Sequence, residues 1–322
     1  MSKWSLLTNG NSSWDDLIFG RSDTTYLHSS EWARHMESQG WITCRWECCK
    51  DDQIVSLMQG FLKKYPFNVG ILWFPDWMLG DHVIDENLGK KIQNSLGLKF
   101  VYIRIRSHNE MNDLDCSILL KSGFLRPRKS FNSGETMHLN LALSKDSMHK
   151  GLRKNWKRNL KRSSRVEYDI SEITKPNVVI DIYHELCNIK KLDTLLTNSE
   201  INSLYSAFQD NLIVIGATTP DGVVHAIRGA IVMNNKATDI FAASNSYSRK
   251  HYLSYALCWK LLLKCKEIGC VDYNLNGIDP IKNTGVYNFK KGTGAMHKKI
   301  VGEYEWSSNR MLSWAVSVIS SK

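Results

Sequence analysis

Strand-like runs rich in apolar residues cover Trp41–Cys48, Ile54–Leu62 and Val69–Phe74, and turn residues at Asp51-Asp52 and Tyr65-Pro66 separate them. This pattern predicts three strands in a meander. A short helix is predicted before them, from Ser29-Ser30-Glu31-Trp32 to about Gly40, and another after them at Asp85–Leu96, ending near Gly97. Val101–Arg106 then reads as a strand, Cys116–Lys121 as a helical turn closed by Gly123, and Met137–Leu141 as a strand. The second half repeats the plan. Met148, Leu152, Trp156 and Leu160 recur every fourth residue, which predicts a helix over about Lys145–Ser163 with a narrow apolar stripe. Ser144 can cap it, with Asp146 in its first turn. A strand at Val166–Ile170 stops before Pro176, and helices follow at Val178–Lys190 and Ser199–Phe208. Leu212–Thr218, Val223–Val232 and Thr238–Ala243 form a second meander, turning at Pro220-Asp221-Gly222 and Asn234-Asn235. A helix at Leu253–Glu267 stops at Gly269, a good residue just past a helix end, and a strand follows at Val271–Leu275.

A chain of 322 residues is long enough for two cores. The repeated plan places the division near Ser144, with domains 1–144 and 145–322. The tail at about 306–322 is a candidate to pack on the first domain. No apolar run reaches the ~18 residues of a membrane span. The N-terminal Met1-Ser-Lys-Trp-Ser-Leu-Leu-Thr-Asn has no long apolar core, so no secretory signal is expected and the cytoplasm is the expected location. The eight cysteines include no C-x-x-C pair and no His at ligand spacing, so reduced thiols are expected and no metal site.

The net charge is +10, which favours an anionic partner. Between Lys145 and Arg165 there are nine Lys/Arg and one acid, Asp146. Positive charge therefore surrounds the apolar stripe of that helix. It either binds phosphate groups or is a solvated face. Arg104 and Arg106 share a strand face and allow the same two readings.

The stretch Gly285-Val286-Tyr287-Asn288-Phe289-Lys290-Lys291-Gly292-Thr293-Gly294 sets two aromatics and two lysines between glycines. It suggests a lysine beside aromatic rings, next to backbone that can approach a ligand closely. The other reading is a short amphipathic helix with an exposed Lys-Lys pair and buried aromatics. There is no G-x-S-x-G, no H-E-x-x-H, no catalytic Cys/His signature and no P-loop.

Gly285–Gly294 resembles the aromatic–Asn/Arg–Phe–Lys–Lys–Gly–x–Gly signature near the end of the FemABX-like aminoacyltransferases. Leu152–Arg162 is similar to the Lys/Arg-rich helix that opens their second domain, and Thr136–Leu141 looks like the strand before it. Asp239–Asn245, Tyr255–Trp259 and Glu267–Ile278 follow the family's strand–helix–"G-x-x-x-(Y/F)-D-x-G-G-I" course. This chain has Asn274 where the family often has Asp, and Asn276 where it has Gly. Ser29-Ser30-Glu31-Trp32 is similar to an early family element ending in Trp, whereas Val69–Asp81 lacks the family's P-R-G-P.

The resemblance implies an α+β fold of two tandem GNAT-like domains, each a mixed, mainly antiparallel sheet flanked by helices. It implies an N-acyltransferase that passes an acyl group from aminoacyl-tRNA to an amine of a cell-envelope precursor, either peptidoglycan or an amino sugar of a surface polysaccharide. Lys290 and Phe289 would stand beside the reacting ester, with Tyr287 shaping the pocket. Arg153, Lys154, Lys157 and Arg158 would hold the anionic donor or acceptor, joined by Arg104. Trp32 would lie on the acceptor side, and Asn274 and Asn276 would offer hydrogen bonds. No bound cofactor is implied; tRNA or acyl-CoA is a co-substrate. CoA-dependent GNAT enzymes carry Q/R-x-x-G-x-G/A, which would fall at Arg249–Ser254, where Tyr252 and Ser254 replace both glycines. Acyl-CoA is therefore disfavoured. The acceptor would be an anionic nucleotide-sugar or a lipid-linked molecule, with peripheral contact at the membrane's inner face. The competing functions are a CoA-dependent GNAT acyltransferase and a non-catalytic RNA- or anionic-membrane-binding protein.

Overall fold

The computed structural model describes residues 3–7, 14–81, 83–190 and 196–319. Part of the N-terminal stretch, and the last residues of the tail, lie outside these. Two compact units are formed, residues 1–135 with 298–322, and residues 136–297. Residues 136–144 thus go with the second unit, and the whole C-terminal segment from Lys298 goes with the first.

The first unit holds β1 (Lys3–Leu6), α1 (Trp14–Ile18), α2 (Ser30–Ser38), β2 (Ile42–Lys50), β3 (Gln53–Tyr65), β4 (Val69–Phe74), β5 (Leu79–Gly80), α3 (Leu88–Ser95), β6 (Phe100–Glu110) and α4 (Asp113–Lys121). The second holds β7 (Glu135–Asn140), α5 (Lys145–Gly151), α6 (Lys154–Ser163), β8 (Asp169–Glu172), α7 (Pro176–Lys190), α8 (Asn198–Phe208), β9 (Leu212–Thr218), β10 (Val224–Met233), β11 (Lys236–Ser244), α9 (Ser246–His251), α10 (Leu253–Glu267), β12 (Asp272–Gly277) and α11 (Thr284–Gly292). The chain then returns to the first unit through β13 (Met296–Ser307) and α12 (Arg310–Ile319).

Both sheets follow one scheme. In the first unit β2, β3 and β4 pair antiparallel, β4 pairs parallel with β6, and β6 pairs antiparallel with β13. In the second, β9, β10 and β11 pair antiparallel, β11 pairs parallel with β12, and β12 pairs antiparallel with β7. Each parallel step needs a crossover, supplied by α3 in one unit and by α9 and α10 in the other. This is the fold class that the resemblance implies. The pairing of β7 with β12 also explains why residues 136–144 leave the first domain.

Local signals set many element ends. Ser29 caps α2 by accepting from Trp32 N at 3.1 Å, and Ser144 caps α5 by accepting from Ser147 N at 3.1 Å. Gly269 follows α10 with φ at +95°, a left-handed conformation that other residues resist. The basic helix differs from expectation. It breaks between α5 and α6, where Leu152 and Arg153 are extended. Arg153 N leaves the helical ladder and donates to Gly292 O at 3.0 Å. The apolar stripe still holds, with Met148, Leu152 and Trp156 in the core of the second unit. Beyond α6, the strand expected at 166–170 is shifted to β8. β1, α1, β5, α9, β13 and α12 have no counterpart among the elements expected from the sequence.

Candidate active site

Lys290 lies on α11, in a cavity of about 480 Å³ also lined by Arg228, Asp239, Ser248, Tyr255 and Phe289. Only 9% of Lys290 is exposed. Its Nζ donates to Gly277 O at 2.8 Å and to Asn276 O at 3.4 Å. An ammonium has three N–H groups, so one remains for a ligand. Burial pulls its pKa down to about 8; the neighbouring Asp239 opposes this and Arg228 adds to it. Near neutral pH it therefore still carries its proton.

Arg228 and Asp239 form a buried ion pair, Nη2 to Oδ2 at 2.7 Å. The hydroxyl of fully buried Tyr273 donates to Asp239 Oδ1 at 2.9 Å, so both carboxylate oxygens are engaged. A slip in register makes this possible. Ala230 pairs with Asp239 but Gly229 with Phe241, leaving Ile240 as a bulge. Without it Asp239 and Phe241 would share a face. With it, Phe241 packs on Tyr183 of α7 and Tyr205 of α8, while Asp239 meets Arg228.

The two asparagines shape the strand end that holds the lysine. Asn274 Oδ1 accepts from Thr136 Oγ1 and from Asn276 N, both at 2.8 Å. Asn276 has φ at +65°, which Asn tolerates better than most residues, and its side chain donates to Asp239 O at 3.3 Å. The turn presents two carbonyls to Lys290. Neither asparagine lines the cavity.

Phe289 stands edge-on to Tyr255 at 4.9 Å and tilted against Trp156 at 5.9 Å. Such pairs add about 1 kcal/mol each beyond area burial, and these join α6, α10 and α11. Tyr287 points elsewhere, because two residues on a helix is about half a turn. Its hydroxyl accepts from Lys291 Nζ at 2.8 Å. The glycines of the motif serve packing. A Cβ on Gly292 would meet Trp156 Cδ1 at 2.5 Å, and one on Gly294 would meet Gly151 O at 2.9 Å.

The remaining candidates sit apart from the cavity lining. Arg153, Lys154 and Arg158 are exposed, and Lys157 donates to Lys150 O at 2.9 Å. From the same helix Arg162 reaches the Tyr252 hydroxyl at 3.0 Å, and Tyr252 does line the cavity. Trp32 and Arg104 belong to the other unit. Trp32 is buried against Tyr26 and His35. Arg104 is committed to Glu303, Glu305 and Lys129 O.

The model of the FemAB family matches residues 198–321. The crystal structure of FemX superposes with a TM-score of 0.81 at 13% identity, covering 97% of this chain and 99% of that one. Over residues 198–321 the chain is similar to the FemAB family, and its fold is similar to that of FemX. L-PGS from Bacillus licheniformis aligns with a TM-score of 0.56 at 13% identity, over 96% of this chain and 95% of that one. A tandem GNAT protein from the clavulanic acid biosynthesis pathway does so with 0.56 at 10%, over 96% and 99%. No curated protein matches the chain.

In this chain the cavity is cationic. Arg228, Lys290 and Arg249 face it against one carboxylate, Asp239. Burial disfavours the charged form of Arg228 most, but Asp239, Cys258 and Tyr273 together lift the guanidinium above its usual range, so Arg228 stays charged. Arg228 Nε and Ser248 Oγ are buried with no hydrogen-bond partner. Arg228, Asp239, Ser248 and Arg249 were not among the site residues expected from the sequence. The available signal was a charge inside each of two apolar strand runs, His-Ala-Ile-Arg-Gly-Ala-Ile-Val and Thr-Asp-Ile-Phe, since charges are rarely buried unless paired. Tyr252 caps α10 at φ +60°, where a CoA-binding loop would place glycine, and its ring lines the cavity. Among the described residues no group of three or more His, Cys, Asp or Glu could hold a metal, and no helix is long and apolar enough to cross a membrane.

Proposed function

We propose that the second unit is an N-acyltransferase whose Lys290 polarises an activated acyl carbonyl. The observation that carries this reading is the buried ammonium with one N–H left for the cavity. An acceptor amine attacks the carbonyl carbon of an ester. The oxygen gains negative charge and takes the Lys290 N–H as its hydrogen bond. The ester C–O bond then breaks, an amide forms, and the proton lost by the amine goes to the leaving hydroxyl. Such a site needs placement and oxyanion stabilisation more than a strong base. This fits a cavity whose only carboxylate has both oxygens engaged.

The donor proposed is aminoacyl-tRNA. The exposed cations of α6, with Arg162 leading to Tyr252 at the cavity, suit a polyanion whose acylated end enters the pocket. Tyr252 and Ser254 replace the close-approach glycines that CoA would need. The acceptor proposed is an amine on a cell-envelope precursor, a reading that rests on the family. Transfer of labelled amino acid from charged tRNA to amine acceptors tests it. Transfer that is lost in Lys290→Ala is expected. Turnover of acyl-CoA without tRNA, or transfer untouched by Lys290→Ala, would sink the reading.

A further inference from the structure

A second cavity, of about 430 Å³, opens on the face of the first unit's sheet away from its main core. In β4, Leu72 and Phe74 enter that core, whereas Ile71 and Trp73 line the cavity. In β6, Val101, Ile103 and Ile105 are in the core, whereas Tyr102, Arg104 and Arg106 line the cavity. Trp41, Phe131, Glu303 and Val316 of α12 complete the walls. The surface they expose to the cavity is mostly apolar, with charge only at Arg104, Arg106 and Glu303. Arg104 is used up by Glu303 and Glu305, while Arg106 pairs only loosely with Glu303, at 4.0 Å, and keeps 30% of its side chain exposed. Lys63 Nζ stands 4.6 Å over the Trp41 ring, so a second cation flanks the same wall.

The helix that contributes Val316 has an unusual outer face. Met311, Trp314 and Val318 are 76%, 59% and 43% exposed. Spaced at i, i+3 and i+7, they form one apolar stripe. Ser313, on the far side, anchors the helix to Glu305 Oε1 at 3.0 Å. Phe131 is 58% exposed beside the cavity. An apolar stripe with a central Trp, an apolar cavity under the same helix, and cations at the cavity match an anionic lipid surface. The helix face enters the interface, an acyl chain occupies the cavity, and a lipid phosphate meets Arg106 and Lys63. The net charge of +10 acts in the same direction.

We propose that the first unit docks the protein on anionic membrane surfaces through α12 and the Trp41–Trp73–Arg106 cavity. This does not depend on the acyl-transfer reading. Flotation of the full chain with vesicles of phosphatidylglycerol and phosphatidylcholine tests it, against phosphatidylcholine alone. Binding is expected only to the anionic vesicles. Met311→Ser/Trp314→Ser is expected to weaken it by more than about tenfold, and Arg106→Gln by about fivefold. The serine substitutions lie on exposed positions, so an unchanged melting temperature is expected. Absent binding to anionic vesicles, equal binding to neutral ones, or binding that survives all three substitutions would overturn the proposal. So would self-association that the serine variant abolishes, since the stripe would then pair two copies. Lys290-dependent transfer to a soluble acceptor is expected to survive Met311→Ser/Trp314→Ser, which separates the fates of the two proposals.

Discussion

Arg228–Asp239 and Arg104–Glu303 are buried ion pairs, each beside a cavity, and they leave opposite remainders. In the second unit one carboxylate faces Arg228 and Lys290, and a third cation, Arg249, lines the cavity. In the first unit Arg104 is shared between Glu303 and Glu305, and it also donates to Lys129 O at 2.6 Å. Glu303 further accepts from Phe131 N at 3.1 Å and Asn132 Nδ2 at 2.6 Å. Every donor group of that guanidinium is spent on structure. A buried charge can do chemistry only where its partners do not exhaust it, and Lys290 meets that condition while Arg104 does not. The same residue type on a strand facing a cavity thus serves packing in one unit and a candidate site in the other.

Breaking each pair should expose the shared cost first. Asp239→Ala and Glu303→Ala each leave a buried guanidinium short of its partner, and each is expected to lower the unfolding free energy by about 3–5 kcal/mol in urea titrations. Equal stability of either variant with the parent would refute the picture of a buried, paired charge. The two should part company in catalysis. Lys290→Ala is expected to lower kcat/KM for acyl transfer by about 10²–10³-fold, as removal of an oxyanion donor does, with little change in melting temperature.

The pH profile sharpens the contrast. In the proposed step the lysine acts while protonated, and burial pulls its pKa down to about 8. The rate should therefore fall as pH rises through that value. Lys290→Arg keeps a donor that does not titrate there, so the fall near that pH should vanish even if the plateau is lower. A rate that keeps climbing in the parent would mean that the neutral amine is the working form.

Smaller effects test the supports. Asn274→Ala removes the acceptor for Thr136 Oγ1 and Asn276 N, and a drop of about tenfold in kcat with little change in KM is expected from the loosened turn under Lys290. Tyr252→Gly relieves a left-handed backbone at φ +60° by up to about 1 kcal/mol but gives up the Arg162 hydrogen bond at 3.0 Å and the ring's contact with Tyr255, so little net change in thermal denaturation is expected. A clear loss of stability would show that the tyrosine ring holds the cavity wall together.

The sequence by itself determined what short-range patterns encode. Short apolar runs between turn residues marked the meander strands, Ser29 and Ser144 marked helix starts, and Gly269 marked a helix end, because each depends on neighbours within a few residues. The Phe289-Lys290 pair stood out through its resemblance to the FemABX-like signature, and its role remains a proposal. Tertiary structure alone decided the rest. Arg153 leaves its helix because Gly292 O, far along the chain, takes its N–H. Tyr287 turns away from the cavity because helical geometry, not the motif, sets its direction. Asn274 and Asn276 became supports for Lys290 only once β7 supplied Thr136. Asp239 meets Arg228 through a one-residue bulge at Ile240 that no local pattern announces. The segment from Lys298 joins the first unit because β13 finds its partner in β6, a strand about 200 residues earlier in sequence terms, where hydrogen bonds between distant segments, rather than the periodicity of either, settle the pairing.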